Sequence, residues 1–567
     1  MILNLNILKV TGLLCGFALF YFFSIQETPI YDETEGQYAG AARVMSSYFE
    51  IPTNNGIPRL QKPPLTYWLM KFSSTWIENQ EYAMRVPFII ALLALLLTTY
   101  GIAVEVMDSD RGVVAMGLLG LSFGLFIFGR MVMPEILISL FIALSFWGAI
   151  QALKSNSLSC GEWWWSVTWG MMALGSLAKG FHGLFWPLAV FALARGFDLF
   201  QRDRWRGFWK VRNLILFCAM TIPWYCVVEL KYPGFIWDNL WNEQMGHSLD
   251  FRYPLTYSRV SLIHFLLQHL FLLFPVILFI PHAIKSFDRT EDLIGQRELR
   301  KFLLLLPGVV LATTIFSARQ DYYTMSSWFA VSILAVFGIH SRERSAWISF
   351  PFWIFLGLGF FLFILGGIWK GSNGAAFRSD ATDHLFSIFF QLPIEMRPLF
   401  FLAGGTLFFG GVIGLLLMRS GGNSFIVFPL MIAMFGPLWG ASQGVVILSD
   451  SFSLKKMAAV IPSIPHSSVV VDGAAPLASS LFYYLDEPIH FVRANVEAEF
   501  ATRRYGLGRG QYWELKDLMA RWKSEQNLLL IIHEKDREFW KAAMGENFVE
   551  VVKGRAGSRI LIKNHSL

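Results

Sequence analysis

Apolar runs long enough to cross a bilayer recur through most of this chain. Residues 87–104 (PFIIALLALLLTTYGIAV) and 350–368 (FPFWIFLGLGFFLFILGGI) are about as long as a hydrocarbon core of roughly 30 Å requires of a helix. Composition agrees: 54% of the 567 residues are hydrophobic and only 16% charged, against about a quarter charged in soluble domains. Backbone polar groups in lipid must be satisfied internally, so such runs are read as helices. The first 24 residues resemble a signal peptide, but no small-residue cleavage site follows Tyr21-Phe22-Phe23, and they are read as a retained first helix. The four cysteines, Cys15, Cys160, Cys218 and Cys226, lie outside the long polar segments and lack metal-ligand spacing, which argues against a disulfide framework or a zinc site.

Length and apolar content predict roughly thirteen spans. They fall near 7–24, 83–106, 112–129, 133–153, 163–178, 182–199, 210–229, 259–284, 301–317, 324–340, 346–368, 396–418 and 424–448. Short loops rich in Lys and Arg set the sidedness. Arg202, Arg204, Arg206, Lys210 and Arg212 lie in one; Lys285, Arg289, Arg297, Arg300 and Lys301 in a second; Arg342 and Arg344 in a third. All three fall on one side of the thirteen-span count, and Lys9 and Arg111 agree. That side is read as cytoplasmic, with the N-terminus. The opposite face receives the loop 25–82, the turns near 130, 180 and 320, the loops 230–258 and 369–395, and the tail. The expected fold is an all-α polytopic membrane protein, with residues 1–449 in the membrane part and 450–567 as a small external α/β domain. Within the tail, the β-branched run of VIPSIPHSSVVVDG reads as a strand, 513–525 as a helix and NLLLIIH as a second strand. No phosphate loop or nucleophile elbow appears there, so a cap or scaffold role is expected of it.

Charged turns gather on the external face. Tyr31-Asp32-Glu33-Thr34-Glu35 places three carboxylates within four residues, which repel and raise at least one pKa unless a cation or hydrogen bonds offset this. Such a cluster suits a general base or a metal site, or is simply a solvated acidic loop. Lys62 precedes a rigid Pro63-Pro64 and the aromatic pair Tyr67-Trp68. Arg130 and Glu135 share a turn between two apolar helices, where charges are expensive and normally meet a partner or a polar cavity. Lys179 occupies another short turn, and Arg319, Asp321, Tyr322 and Tyr323 a third. Cations at an apolar–aqueous boundary are what a lipid phosphate needs. Glu243 and His247 are candidate polar contacts in the loop after span seven.

These motifs resemble the GT-C glycosyltransferases, in particular the aminoarabinose transferase and protein O-mannosyltransferase relatives. Glu35-Gly36-Gln37-Tyr38-Ala39-Gly40-Ala41-Ala42-Arg43-Val44-Met45 is similar to a "RYAEIAREM" pattern that follows an acidic motif. Gln61-Lys62-Pro63-Pro64-Leu65-Thr66-Tyr67-Trp68 resembles "EKPPLxYW". Gly129 through Leu137 resembles "GRLALTDML", Leu177-Ala178-Lys179-Gly180 resembles "LTKG", Ile222-Pro223-Trp224-Tyr225 resembles "LPWY", and Arg319 through Tyr323 resembles a "SRxxYY" turn. The six occur in order across about residues 5–340; beyond that only the layout is similar.

The resemblance implies sugar transfer, with inversion, from a polyprenyl-phosphate donor to a glycolipid, polysaccharide or protein acceptor at the external face of an inner or plasma membrane. It implies Glu35 or Asp32 as the base, with Glu135 as a second carboxylate. It implies Lys62, Lys179 and Arg319 on the lipid phosphate, and Tyr38, Arg43, Arg130 and Tyr322 as further substrate contacts. Gln61 stands where many relatives carry Glu, which favours weak metal binding or none; a divalent cation with Gln61 and Glu33 as ligands stays open. No nucleic-acid partner is expected. A secondary transporter or lipid flippase also needs many helices and intramembrane charge. No internal repeat is visible here, however, and the charges cluster at one interface. An inactive scaffold is the third reading.

Overall fold

A computed structural model describes residues 2–48, 50–249, 251–254, 260–286, 294–317, 319–337, 346–369, 393–419, 426–525, 527–554 and 559–564. Arg289, Arg342, Arg344 and most of the loop 369–395 lie outside the described residues, as does the side chain of His247.

Helices occupy each of the thirteen apolar segments, but not as thirteen continuous rods. Among the described residues eight are long and apolar enough to span a membrane, and a bent pair, Leu262–Leu272 and Val276–Lys285 at 91°, makes up to nine. Four expected spans are shorter, broken or less apolar. The segment 112–129 divides into Ser109–Gly120 and Phe123–Phe128. Its break is satisfied locally and from outside: the Ser122 hydroxyl donates to Leu119 O at 2.8 Å, and the Phe123 N–H donates to the remote Phe274 O at 3.1 Å. The segment 324–340 begins as a 3-10 turn, Asp321–Ser327, and continues as the short helix Trp328–Val336. His182–Gly196 has 15 residues, and Leu158–Lys179 is long enough but is not among the eight. Pro87, Pro187, Pro223, Pro307, Pro351 and Pro437 sit inside helices. Packing against neighbours re-satisfies the backbone groups that a proline frees in a membrane protein.

The last three long helices, Ala346–Ile368, Arg397–Arg419 and Val427–Ile447, pack together with small residues at the contact. A Cβ on Gly359 would lie 2.5 Å from Phe408 N, and one on Gly410 2.6 Å from Ala433. Close backbone approach of this kind supplies van der Waals contact where lipid removes the hydrophobic drive for helix association.

The loop after the first helix carries helix Thr34–Val44, the two-residue strands β1 (Thr53–Asn54) and β2 (Ile57–Pro58), and helix Leu65–Ser74. The tail holds a six-stranded sheet. Strands β3 (Val469–Asp472), β4 (Ile489–Val492), β5 (Tyr512–Trp513), β6 (Leu529–His533), β7 (Val549–Lys553) and β8 (Arg559–Lys563) run in the order β5-β4-β3-β6-β8-β7. The first four are parallel, and β8 and β7 add antiparallel. Val469, Val470 and Val471 are fully buried, the two-sided burial expected of a covered parallel strand. Helices Leu515–Ser524 and Arg537–Met544 place Leu518, Trp522 and Trp540 on one face of the sheet. The tail grips the first loop: Asp32 N–H donates to Phe452 O at 2.7 Å and Glu33 N–H to Pro476 O at 2.8 Å. Gly36 meets the Ser479–Ser480 backbone too closely for any Cβ.

Candidate functional site

A cleft opens where Lys62, Lys179, Glu243 and Tyr323 converge. Its central pair joins two helix ends. Glu135 starts helix Glu135–Lys154 and Lys179 ends helix Leu158–Lys179, so each charge faces the helix pole that favours it. They meet at 2.9 Å, both nearly buried. Lys179 Nζ also lies 4.9 Å from the ring of Tyr323 and 5.7 Å from that of Tyr322. Glu135 Oε2 is buried and accepts no hydrogen bond.

Lys62 is the second cation of the cleft. It is half-buried and has no ion-pair partner among the described residues. Burial, with the nearby charge of Lys179, pushes its amine down to about 8; Glu243 and Glu135 oppose this. Glu243 pairs with Arg252 at 2.6 Å, and both side chains are buried. The Asp321 carboxyl is pushed up, first by burial and also by Glu135, and it accepts from the Tyr322 N–H at 3.0 Å.

Other predicted site residues lie in structural knots. Glu35 is fully buried. Its carboxylate accepts from Arg85 at 2.5 and 3.0 Å, from the Tyr31 N–H at 3.0 Å and from the Val132 N–H at 2.8 Å. Arg85 also donates from its two Nη atoms to Thr28 O at 2.6 Å and Pro29 O at 2.5 Å. The knot ties the loop, helix Gln80–Val106 and the 129–134 turn. Arg130 donates to Ser24 O and Ser442 Oγ, each at 3.0 Å, and lies 4.4 Å from the ring of Phe126. Arg43 reaches Leu485 O at 3.0 Å and Asp486 at 2.5 Å. Arg319, at φ 55°, donates to Ile315 O and Val260 O. Tyr38 is buried against Arg59, 5.0 Å from its ring, and against Tyr67.

Asp32 lies at the seam with the tail. It accepts from the Ser480 N–H at 2.8 Å, and burial pushes its carboxyl up to about 7 against the pull of that bond and of Arg559. Glu33 is exposed at φ 64°, and Gln61 is half-buried beside Lys62. No group of three or more His, Cys, Asp or Glu with a metal-holding arrangement occurs among the described residues.

Neither Arg85 nor Arg252 belongs to the motifs that the sequence marks. An arginine in the first turns of an apolar helix was the available signal for Arg85. Arg252 follows a polar loop with nothing to mark it.

Residues 61–226 match the family described as dolichyl-phosphate-mannose-protein mannosyltransferase. An uncharacterized protein of Aquifex aeolicus is 23% identical over 326 residues, 55% of this chain and 68% of that protein. The undecaprenyl phosphate-alpha-4-amino-4-deoxy-L-arabinose arabinosyl transferase of Pseudomonas aeruginosa PAO1 is 25% identical over 239 residues, so the match spans 41% of this chain and 43% of the transferase. The crystal structure of ArnT from Cupriavidus metallidurans bound to undecaprenyl phosphate superposes with a TM-score of 0.75 at 16% identity, covering 98% of both chains. The chain therefore shares the fold of ArnT over nearly its whole length, with several helices long and apolar enough to span a membrane among the described residues.

Proposed function

We propose that this protein is a membrane glycosyltransferase that moves a sugar from a polyprenyl-phosphate carrier to an acceptor hydroxyl at the external membrane face. The carrying observation is the cleft itself, where Lys62 stands beside Lys179 without an anionic partner among the described residues. Two ammonium groups at an apolar boundary match a phosphate on a lipid tail.

In this reading the acceptor oxygen attacks the anomeric carbon as its bond to the phosphate oxygen breaks. The leaving polyprenyl phosphate keeps that electron pair, and Lys62 and Lys179 hold its charge. Lys179 turning to the phosphate loosens its pair with Glu135. Glu135, of which one oxygen already lacks a partner, then takes the acceptor proton. Glu35 serves as the clamp of the loop, since all its acceptor directions are spent. Asp32 is the alternative base, favoured by a carboxyl that titrates near neutrality. Arg43, Arg130 and Arg319 position the loop, helices and turns that build the cleft. By the Lys/Arg bias, the N-terminus lies in the cytoplasm, and residues 450–567 form an external domain over the cleft. The acceptor is a glycolipid, polysaccharide or protein.

The test is a transfer assay in nanodiscs with a panel of undecaprenyl-phosphate sugars and a membrane extract, following released undecaprenyl phosphate. Sugar-specific release that disappears in Lys62→Met and Glu135→Gln supports the reaction. Release from no donor by well-folded protein sinks it.

A further inference from the structure

A second cleft lies where the first external loop meets the tail. The loop contributes Gln37, Asn54 and Arg59; the tail contributes Phe482, Glu499 and Tyr512. Its walls are held together from both sides. Asn55 donates to Ile489 O at 2.7 Å and to Gln511 Oε1 at 2.9 Å, and it accepts from the Ile489 N–H at 2.9 Å. The cleft is therefore formed without any ligand.

Several polar groups in it are unspent. Asn54 donates its amide to Gln37 O at 2.8 Å, while its buried Oδ1 accepts nothing. Glu499 precedes helix Phe500–Tyr505 without capping it, and its carboxylate has no hydrogen bond or ion pair among the described residues. Arg59 uses Nε on the Tyr67 hydroxyl at 2.9 Å and one Nη on Gln37 at 2.5 Å, which leaves its other terminal nitrogen. A carboxylate, an amide oxygen and a guanidinium donor beside aromatic faces match a hydroxylated ring. Its hydroxyls donate to Glu499 and Asn54 and accept from Arg59, and its C–H face lies on Phe482 or Tyr512. Glu499 favours an added ammonium and opposes an added carboxylate. The buried Glu243–Arg252 pair exerts its charge on both Lys62 and Glu499, so the two clefts are electrostatic neighbours.

We propose that this second cleft seats a sugar ring of the transfer reaction, with Glu499 of the tail as its specificity-determining contact. The proposal rests on the glycosyltransferase reading above. The ring belongs either to the acceptor or to the donor sugar.

Two measurements on the full-length protein in nanodiscs test it. The first needs no catalysis: saturation-transfer NMR with the methyl glycosides of a neutral sugar, an amino sugar and a uronic acid. The neutral and amino glycosides are expected to give signal and the uronic acid not. Glu499→Gln and Asn54→Ala should each weaken binding roughly tenfold, the loss of one hydrogen bond to a charged or buried group. Glu499→Gln keeps shape and removes no cap, and a wild-type melting profile checks its fold. Should it misfold, Asn54→Ala carries the test. Glycoside signal unchanged in the folded variants overturns the proposal. If wild-type protein transfers no sugar but its glycoside signal depends on Glu499, the proposed reaction fails and the cleft stands. The second measurement is a KM split. A roughly tenfold rise for the acceptor with the donor unchanged assigns the ring to the acceptor, and the reverse assigns it to the donor. Neither rising overturns the proposal.

Discussion

Removing the Glu35 carboxylate should unfold the first loop before it affects chemistry. In Glu35→Ala the Arg85 guanidinium, fully buried, loses its counter-charge, and the Tyr31 and Val132 N–H groups lose their acceptor. Breaking one partner of a buried ion pair costs roughly 3–5 kcal/mol. Each orphaned N–H adds about 1–3 kcal/mol unless water enters. Such a sum is comparable with the whole stability of many domains, roughly 5–15 kcal/mol. Glu35→Ala is therefore expected to give little monodisperse protein. Glu35→Gln keeps the volume but turns an amide donor toward Arg85 or Val132, so it should fold with a clearly lowered melting temperature. Arg85→Met in the Glu35→Gln background should cost less than the two single changes summed, by about 2 kcal/mol, because the buried charge goes with its partner. The assay is thermal melting by size-exclusion chromatography, with sugar transfer measured well below the melting point. A Glu35→Gln protein that melts like the wild type yet transfers no sugar would make Glu35 the base and refute the clamp.

Lys62→Met should weaken undecaprenyl-phosphate binding by roughly tenfold or more, as expected for a lost charge-assisted contact, measured by ligand-dependent melting. The free Lys62 amine titrates at about 8, so carrier affinity should fall as pH rises through that value, and Lys62→Arg should flatten the dependence. Glu135→Gln should lower kcat by about a hundredfold or more while carrier affinity holds, the size expected for a lost general base; unchanged kcat shifts the role to Asp32. The Asp32 carboxyl is raised from its unfolded value to about 7, so the native state holds a proton that the unfolded chain has released. Stability from this group falls as pH climbs from about 4 to about 7. Asp32→Asn, of which the amide oxygen still accepts from the Ser480 N–H, should remove that fall in a pH series of melting curves.

Much of the architecture is legible in hydropathy, because lipid leaves the backbone few choices. The failures fall where partners are remote in sequence. The hydropathy of 112–129 predicts one rod, but Phe274 and the Ser122 hydroxyl satisfy a break at Leu121–Ser122, and no window over 112–129 contains Phe274. Likewise Arg59 and Glu499 flank one cleft from opposite ends of the chain. The motifs single out the charged turns, because an ionised group at an apolar boundary is costly and normally meets a partner or a polar cavity. They could not sort these cases, since Glu35 and Glu135 look alike as carboxylates in external turns. Unspent hydrogen-bonding capacity separates them. Glu35 and Arg85 have saturated each other and four backbone groups, which is what a clamp needs. Arg130 is tied to Ser24 and Ser442. Among the described residues Lys62 has no counter-ion, Glu135 keeps one oxygen without a partner, and Asn54 keeps its amide oxygen. A buried polar group left unsatisfied costs stability unless a ligand completes it. Glu135 and Asn54 are two such groups: Glu135 pairs with Lys179 of the first cleft and Asn54 lines the second, where the proposed phosphate and sugar would sit.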